Sequence, residues 1–482
     1  MDFISGALFS AFLKFSENYC LKKNIKLDFL NLQNKFMKLT RLLPVIFLLC
    51  PGLIVICQDN VQKPESKEKI KTGWTFGAVP ATSYDSDVGF KYGAVANFYH
   101  FGDGSIYPKY RHSLYLEWSR TTKGSGINQF TYDSEYLIPG IRVSAEASLF
   151  TEKALDFYGF NGYESFYNHS FEDDEDPEYL SRMFYRVDRK LGKLRTDFYG
   201  SLLDKKLRWL GGIEYTSNKI GTVNIDKLNK GKDEEDMLPD TALLYDKYVS
   251  WGVIPKDQAE GGQTTLLKLG IIYDTRDNEP NPMSGIWTDV QFLLSPKFLG
   301  SDYAYTRVAL THRQYFTLIA NKLSFAYRLS YQAKLSGEMP YYMLPFVYNT
   351  APNLTRDGLG GSKSIRGVLR NRVVGDDFAY GNFEFRWKFL RTVVLNQNFY
   401  IALNAFTDMG IIVKKHPIDI SGVPAAERAI LFPDEKESLH AAYGAGFHFA
   451  LNENFIVAVD YGRAVKKEDG KSGFYIGLNF LY

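Results

Sequence analysis

Long stretches of this chain alternate apolar and polar residues with a period of two. The clearest examples are residues 141–149, 323–335 and 383–389. Because successive side chains of a β-strand point to opposite faces, this period predicts strands with one apolar and one polar face. No comparable stretch has the spacing of a helix. The alternating segments run about 9–14 residues, longer than typical strands of globular proteins, and they end in Tyr, Phe or Trp.

Strands of this length and texture are typical of a transmembrane β-barrel, with apolar residues toward lipid and aromatic residues at the interfaces. Aromatic residues make up 16% of the chain. The mean hydropathy of −0.24 argues against a helical membrane bundle, but not against spans that are only half apolar. A large soluble β-sandwich or propeller is the alternative, although its strands would be shorter. The sequence therefore predicts an all-β fold, a 16-stranded antiparallel transmembrane β-barrel.

The expected strands place all the long connections on one side of the membrane. The long connections are 152–191, 218–262, 336–375 and 413–437, whereas the opposite side has short turns. Long extracellular loops and short periplasmic turns are the usual asymmetry of such barrels. All the long connections follow odd-numbered strands only if residues 181–190 are not counted as a separate strand. We therefore assign residues 181–190 to an extension of the sixth strand. The sixteen strands are expected near 73–83, 88–100, 110–121, 127–137, 141–151, 192–203, 206–217, 263–275, 285–296, 303–316, 323–335, 376–391, 398–412, 438–450, 455–463 and 473–482.

The first 72 residues resemble targeting sequence more than a folded domain. A basic stretch from Met37 to Arg41 precedes an apolar run from Leu42 to Cys57, which suits a cleaved signal peptide over 37–57. Cleavage would leave Gln58 first, although acylation of Cys57 is the alternative. Residues 1–36 are then an upstream extension or a mis-annotated start, and 58–72 a short periplasmic linker before the barrel at 73–482.

Composition and motifs exclude several classes of function. The 57 basic and 55 acidic residues give no electrostatic basis for binding nucleic acid. All three cysteines lie at or before position 57, and the seven histidines are scattered, so the sequence predicts no metal site and no cofactor. The glycine-rich stretch 358–364 lacks the Gly-Lys-Ser/Thr of a phosphate loop. We therefore expect no enzyme activity.

Five short motifs follow one another in the C-terminal half. They are Gly270-Ile-Ile-Tyr-Asp274-Thr-Arg276 with Gly285, Gly360-Gly-Ser-Lys-Ser-Ile365-Arg366-Gly367, Gly381-Asn-Phe-Glu384-Phe-Arg386, Phe406-Thr-Asp408-Met-Gly410, and Gly477-Leu-Asn-Phe480-Leu-Tyr482. In this order and spacing, residues 263–482 resemble the BamA/TamA superfamily of outer-membrane assembly barrels, also called the bacterial surface antigen family. Gly477, Phe480 and Tyr482 match its C-terminal β-signal.

The resemblance implies a long sixth extracellular loop that folds into the barrel lumen. The tip of that loop is Ile365-Arg366-Gly367, and the resemblance implies that Arg366 meets two luminal acids, Glu384 and Asp408. Val368 departs from the family, which has an aromatic residue there. Relatives usually carry periplasmic POTRA domains, but 58–72 is too short for one, so the chain resembles the subgroup without them.

The resemblance implies a barrel that inserts or translocates proteins at the bacterial outer membrane. Its expected partners are outer-membrane lipid and client outer-membrane proteins or periplasmic accessory proteins. The alternatives are a loop-gated pore or transport channel of the same ancestry and a surface adhesin or antigen.

Overall fold

The computed structural model describes residues 70–482, except for 82, 86–88, 203, 205, 280, 351–356, 395–396, 453–454 and 479. The predicted upstream extension (1–36), the signal peptide (37–57) and the linker up to residue 69 lie outside the described residues.

The described chain forms a single antiparallel sheet in which, from β2 onward, each strand pairs with the next along the sequence, and β1 pairs with β3. The strands are β1 (Trp74–Pro80), β2 (Ser83–Asp85), β3 (Gly89–His100), β4 (His112–Thr121), β5 (Gly126–Ile138), β6 (Ile141–Asp156), β7 (Arg186–Ser201), β8 (Leu207–Gly221), β9 (Gly261–Asp274), β10 (Gly285–Ser295), β11 (Tyr305–Ile319), β12 (Leu323–Gly337), β13 (Asp377–Val394), β14 (Gln397–Lys414), β15 (His440–Leu451), β16 (Phe455–Ala464) and β17 (Ser472–Leu478).

The first two strands are two parts of one interrupted strand. Both β1 and β2 pair with β3, β1 through Trp74 to Pro80 and β2 through Ser83 to Asp85. Proline has no N–H to donate to a sheet, which explains why β1 ends at Pro80. Counted together, they give the predicted sixteen strands. The predicted strand extension over 181–190 is found in its second half only: β7 begins at Arg186, and residues 181–185 form a turn within the preceding connection.

The alternation seen in the sequence separates a polar interior from an apolar exterior. Along β14, Asn404, Phe406 and Asp408 are buried, whereas Ala405 and Thr407 between them are exposed. The large exposed side chains of the outer surface are apolar, among them Phe385, Trp387, Phe447, Phe474 and Ile476. A cation facing lipid near the middle of a membrane would cost about 2–4 kcal/mol. The polar face is therefore the luminal one.

Four long connections lie at one end of the sheet, at 157–185, 222–260, 338–376 and 415–439. Their helices are short: α1 (Ile225–Asn229), α2 (Leu244–Ser250) and α3 (Ala425–Leu431). Single 3-10 turns occur at Gly162–Glu164, His169–Phe171, Glu234–Asp236, Lys297–Leu299, Tyr341–Met343 and Lys467–Asp469. No helix in the described part of the chain is long and apolar enough to cross a membrane.

These connections share a hydrophobic core, which we call the aromatic cap. Its members come from all four connections and from the adjoining strand ends, and they include Tyr158, Phe184, Tyr248, Tyr341 and Leu431. Aromatic rings bury large areas and supply most of the packing in such a core. The extracellular end of the sheet is thus covered by packed side chains rather than by separate loops.

The two ends of the sheet approach one another without pairing. A Cβ added to Gly77 of β1 would lie 2.6 Å from the ring of Phe455 at the start of β16. Among the described residues, no register joins β17 to β1 or β2. The last strand also ends earlier than the predicted 473–482: it stops at Leu478, and Phe480 and Tyr482 are buried inside the barrel.

Candidate functional site

The tip of the sixth extracellular loop, residues 358–367, has a backbone that only glycine accommodates easily. Gly360, Gly361 and Gly367 have φ angles of +108°, +77° and +99°, a region in which a Cβ is strained. The Ser364 hydroxyl accepts a hydrogen bond from the N–H of Gly360 at 2.9 Å and bonds the carbonyl of the same residue at 3.0 Å. This local bonding holds the turn that projects Ile365 and Arg366, both fully buried.

Arg366 is surrounded by three carboxylates. Asp408 accepts hydrogen bonds from its Nε at 2.8 Å and its Nη2 at 3.0 Å, and a third from its backbone N–H. Nη1 lies 2.6 Å from Glu384 and 3.2 Å from Asp460. We call these four residues the arginine anchor. The structure brings together the three residues that the sequence implied, Arg366, Glu384 and Asp408.

Asp460 is a member of the anchor that the sequence analysis missed. It lies on β16, and its other carboxylate oxygen accepts hydrogen bonds from Asn404 at 3.2 Å and is 3.2 Å from His448 Nε2. The alternation along β16 could have assigned Asp460 to the lumen, because its neighbours Val459 and Tyr461 point outward. The sequence carried no signal that β16 faces the loop tip.

The anchor is buried and supported by an aromatic face. The guanidinium carbon of Arg366 lies 3.4 Å from the centroid of the Phe406 ring, a cation–π contact that is stronger away from water. Glu384 and Asp408 are fully buried. Breaking such a buried network by removing one partner is costly, because an unpaired charge remains inside the protein. The geometry is therefore that of an attachment point for the loop.

Glu384 links the anchor to a second luminal arginine. Its other oxygen accepts a hydrogen bond from Arg386 Nε at 2.8 Å. Arg386 in turn donates to the backbone oxygen of Tyr482 at 3.0 Å, and its guanidinium lies between the rings of Phe480 and Tyr482, at 4.5 and 4.8 Å. The end of the chain is thus connected to the loop tip through two charged residues.

Residues 480–482, which we call the tail, lie against the inner wall of the sheet. The Tyr482 hydroxyl donates to the carbonyls of Ala326 at 3.0 Å and Asn382 at 3.2 Å. Phe480 packs on His448, with ring centroids 4.3 Å apart. Phe480 and Tyr482 were predicted within the last strand. Phe480 and Tyr482 lie outside the strand because their rings pack against luminal arginines and the Tyr482 hydroxyl bonds luminal carbonyls. Among the described residues, no neighbouring strand pairs with them.

The loop tip also touches the last strand directly. The N–H of Gly367 donates to the Tyr475 hydroxyl of β17 at 2.9 Å. Gly477, the third β-signal residue, lies in β17, where an added Cβ would come within 4.0 Å of Lys363 Nζ. The tip therefore spans from the anchor on β13, β14 and β16 to the free edge of the sheet.

The first family motif lies at the periplasmic end of β9 and β10. Asp274 and Arg276 form an ion pair at 3.0 Å, and Arg276 stacks 3.7 Å from the Trp287 ring. Gly270 leaves room for β10, since an added Cβ would lie 2.5 Å from the Val290 carbonyl. Gly285 has a φ of +104°, which the turn before β10 requires.

In the turn between these strands, Glu279 binds Arg142 of β6 at 2.8 Å. Burial acts to raise the pKa of Glu279, but Arg142 and Arg276 outweigh it and hold that pKa at about 2. This ion pair attaches the turn to β6, in addition to the hydrogen bonds that Asn281 donates to Tyr400 of β14 and that the Met283 carbonyl accepts from Thr317 of β11.

A second cluster that the sequence did not indicate joins the extracellular segments. His440 Nδ1 lies 2.5 Å from Asp469, and its Nε2 is 3.2 Å from Glu437. Tyr163 stacks on the imidazole at 4.0 Å and donates its hydroxyl to Asp469 at 2.6 Å. Burial and this bond raise the pKa of Tyr163 above its ordinary value. These residues come from widely separated segments, so only the fold assembles them.

No group of three or more His, Cys, Asp or Glu side chains in the described residues could hold a metal ion. The arrangement at the loop tip is instead one of paired charges and packed backbone, suited to holding or releasing a loop.

Comparison with known proteins identifies the family of the sequence. A family model described as the Omp85 superfamily domain matches residues 119–480, three quarters of the chain. No curated protein sequence matches.

Several solved structures are similar in fold. BamA from Haemophilus ducreyi lacking POTRA domains 1–3 is 17% identical with a TM-score of 0.46, over 85% of this chain and 69% of that chain. CdiB from Escherichia coli is 10% identical with a TM-score of 0.47, over 84% of this chain and 61% of that one. CdiB from Acinetobacter baumannii is 13% identical with a TM-score of 0.41, over 84% and 60%. The chain thus spans about three fifths of each CdiB chain.

Proposed function

Because the chain belongs to the Omp85 superfamily, we propose that this outer-membrane β-barrel inserts or translocates proteins at the bacterial outer membrane through the seam between its first and last strands. In the proposal the barrel itself, or a separate periplasmic protein, receives the client.

The observation that carries the proposal is the seam. β17 pairs with β16 through Val457 to Arg463, and β1 pairs with β3, but no register joins the two ends of the sheet among the described residues. An unpaired strand edge presents N–H and C=O groups to any extended chain that arrives. A client strand could pair there without first breaking a ladder of hydrogen bonds.

The contacts of the loop tip with β17 and, through Arg328, with the tail support the same proposal, because they lie at one side of the seam. Gly367 of the loop tip bonds Tyr475 of β17, and Arg328 of β12 bonds both the carbonyl of Lys363 in the tip and that of Leu481 in the tail. Movement of the tip would therefore change what β17 and the tail contact. In the proposal, the anchored tip holds the seam in its resting state.

The alternative is a pore opened by displacement of the sixth loop. The buried loop tip favours it, because release of Arg366 would clear a polar lumen. The aromatic cap opposes it, since that core includes residues from all four long connections, so a pore would require more than one loop to move. Both functions involve no enzymatic step.

A disulfide across the seam tests the proposal. Gly77→Cys with Phe455→Cys brings the two Cβ atoms into disulfide range, because the added Cβ at position 77 would lie 2.6 Å from Phe455 Cγ. Residues 58–482 contain no other cysteine. We expect cells that depend on this variant to lose other β-barrels from the outer membrane, or the secretion of a client, and to recover on mild reduction.

The matched control is Phe449→Cys with Val457→Cys, a pair of register partners on β15 and β16. Its disulfide joins strands that are already paired, so it should leave the outer-membrane proteome unchanged. An unchanged proteome and secretome in the seam variant, with solute permeability altered only after Arg366 is replaced, would contradict the seam mechanism and favour the pore.

A further inference from the structure

Two arginines on neighbouring strands face each other inside the lumen. Arg313 of β11 and Arg328 of β12 are direct register partners. Their side chains are 4% and 3% exposed. Like charges directly opposite each other on an antiparallel pair destabilise a sheet, and burial increases this repulsion because the local dielectric constant is low. The pair therefore needs a negative charge nearby.

The described residues do not supply that charge as an ion pair. Arg328 donates to three neutral oxygens: Asn382 Oδ1 at 2.8 Å, the Lys363 carbonyl at 3.2 Å and the Leu481 carbonyl at 3.5 Å. Arg313 lies 5.1 Å from the Trp287 ring, and its Nε has no hydrogen-bond partner in the described structure. Asp289 on β10 is buried nearby and offsets part of the charge of Arg313 without forming an ion pair with it. One of its oxygens accepts from Gln291, and the other has no hydrogen-bond partner in the described structure.

Other luminal cations show that this arrangement is unusual in the molecule. Arg307, on the same face of β11, lies opposite Lys334, but Lys334 forms an ion pair with Asp376 at 2.5 Å. Arg366 and Arg386 both bind Glu384. In each of these cases at least one cation is in an ion pair, whereas neither Arg313 nor Arg328 forms an ion pair among the described residues.

Two more unpartnered polar atoms adjoin the pair. The Tyr315 side chain follows Arg313 on the same face of β11, and its hydroxyl has no partner among the described residues. The guanidinium carbon of Arg386 lies 5.7 Å from the Tyr315 ring, and its Nη1 is also unpartnered. Hydrogen-bond donors from two strands and from β13 thus converge on one part of the inner wall.

We infer that Arg313, Arg328, Arg386 and Tyr315 form a luminal binding site for a phosphate group. Guanidinium groups match the geometry of phosphate with paired hydrogen bonds. Among the described residues Arg313 and Arg328 have no ion pair, and Asp289 offsets only part of the charge of Arg313, so a bound phosphate would supply the negative charge that the facing pair lacks. The site is separate from the arginine anchor, and it would be present whether the barrel inserts proteins or conducts solutes.

Unfolding of the purified full-length barrel tests the site, with inorganic phosphate as the probe. The apparent unfolding temperature is read from heat-modifiable gel migration in sodium phosphate, acetate and chloride at equal ionic strength. Phosphate should raise it with a saturable dependence on concentration, since a ligand that binds only the folded state stabilises by mass action. Arg313→Gln should lose the saturable part of the phosphate effect, because it removes one of the guanidinium groups that would hold the phosphate.

Lys193→Gln is the control variant. Lys193 is a buried luminal cation on β7 whose charge is already offset by Glu146 and Glu214, at 3.7 and 3.9 Å, so the phosphate effect should persist in it. Phosphate also stabilises proteins by exclusion from their surfaces, without binding to a site. A rise in unfolding temperature that does not saturate with phosphate concentration, or that is equal in Arg313→Gln, would therefore overturn the site. Equal shifts with acetate would overturn the assignment to a dianion.

Discussion

Gly367 of the loop tip and Gly462 of β16 pack backbone against backbone. A Cβ on Gly462 would lie 2.6 Å from the carbonyl carbon of Arg366, and one on Gly367 would lie 2.6 Å from the backbone nitrogen of Arg463. No side chain fits between them. The loop tip can reach the three carboxylates of the arginine anchor only because both positions are glycine.

Gly462→Ala should therefore displace the loop tip without touching any charged residue. Overpacking a closely packed site typically costs about 1–3 kcal/mol. We expect residues 338–376 to become sensitive to protease added outside intact cells. Gly192→Ala is the control, because an added Cβ there has nothing within 4 Å. Equal protease resistance of the two variants would mean that the tip tolerates the shift.

Arg366→Ala should release the same loop by removing the central cation of the anchor. Removing one partner of a buried ion network costs about 3–5 kcal/mol, and luminal water should reduce this. Arg366→Lys should rescue only in part, since an ammonium group cannot hold Asp408 by two parallel bonds. Combining Arg366→Ala with Asp408→Asn should be less than additive.

Protease sensitivity of 338–376 and single-channel conductance in planar bilayers would measure this release. Lys363→Ala, which removes an exposed cation of the same tip, should change neither. If Arg366→Ala leaves both readouts unchanged in a correctly inserted barrel, Arg366 does not hold the loop.

Tyr482→Ala should free the tail from the lumen, whereas Tyr482→Phe should do so only in part. The phenylalanine keeps the contacts of the ring with Arg328 and Arg386, each at about 5 Å. It loses the one hydroxyl proton that the carbonyls of Ala326 and Asn382 share, a hydrogen bond of about 0.5–1.5 kcal/mol. Labelling of Leu481→Cys by a water-soluble maleimide should be slow in the parent, faster with Tyr482→Phe and fastest with Tyr482→Ala. Equal labelling rates in all three would place the tail outside the lumen in solution.

Acid should weaken the attachment of the turn between β9 and β10. The pKa of Glu279 falls on folding from 4.5 to about 2, so its contribution is complete above pH 4.5 and is lost as the pH falls toward 2. Gel migration after heating at pH 7 and pH 3 should show a loss of heat resistance that is smaller in Glu279→Gln. An identical acid response in both proteins would show that other groups control it.

N-terminal sequencing of the exported protein should begin at Gln58, as the signal-peptide interpretation of 37–57 requires. A lipid-modified Cys57 would instead establish the lipoprotein alternative. An unprocessed chain starting at Met1 would remove the argument for export from the leader.

The sequence by itself determined the strands and the two faces of the sheet. A period of two leaves only one arrangement in which Glu384, Arg386 and Asp408 avoid lipid, because a charge toward the membrane is too costly. That Arg366 meets Glu384 and Asp408 came from the resemblance of their motifs to a known family, not from the alternation.

Only the tertiary structure decided which luminal groups meet. Asp460 joins the anchor, and Tyr163 joins His440 and Asp469, because loops and strands far apart in sequence converge, and alternation carries no information about such distances. The direction of the tail was likewise undetermined. Phe480 and Tyr482 continue the alternating pattern of a strand. They can either pair at the seam or bind luminal arginines and carbonyls, and the arrangement of lower free energy depends on what the fold places at the edge of the sheet.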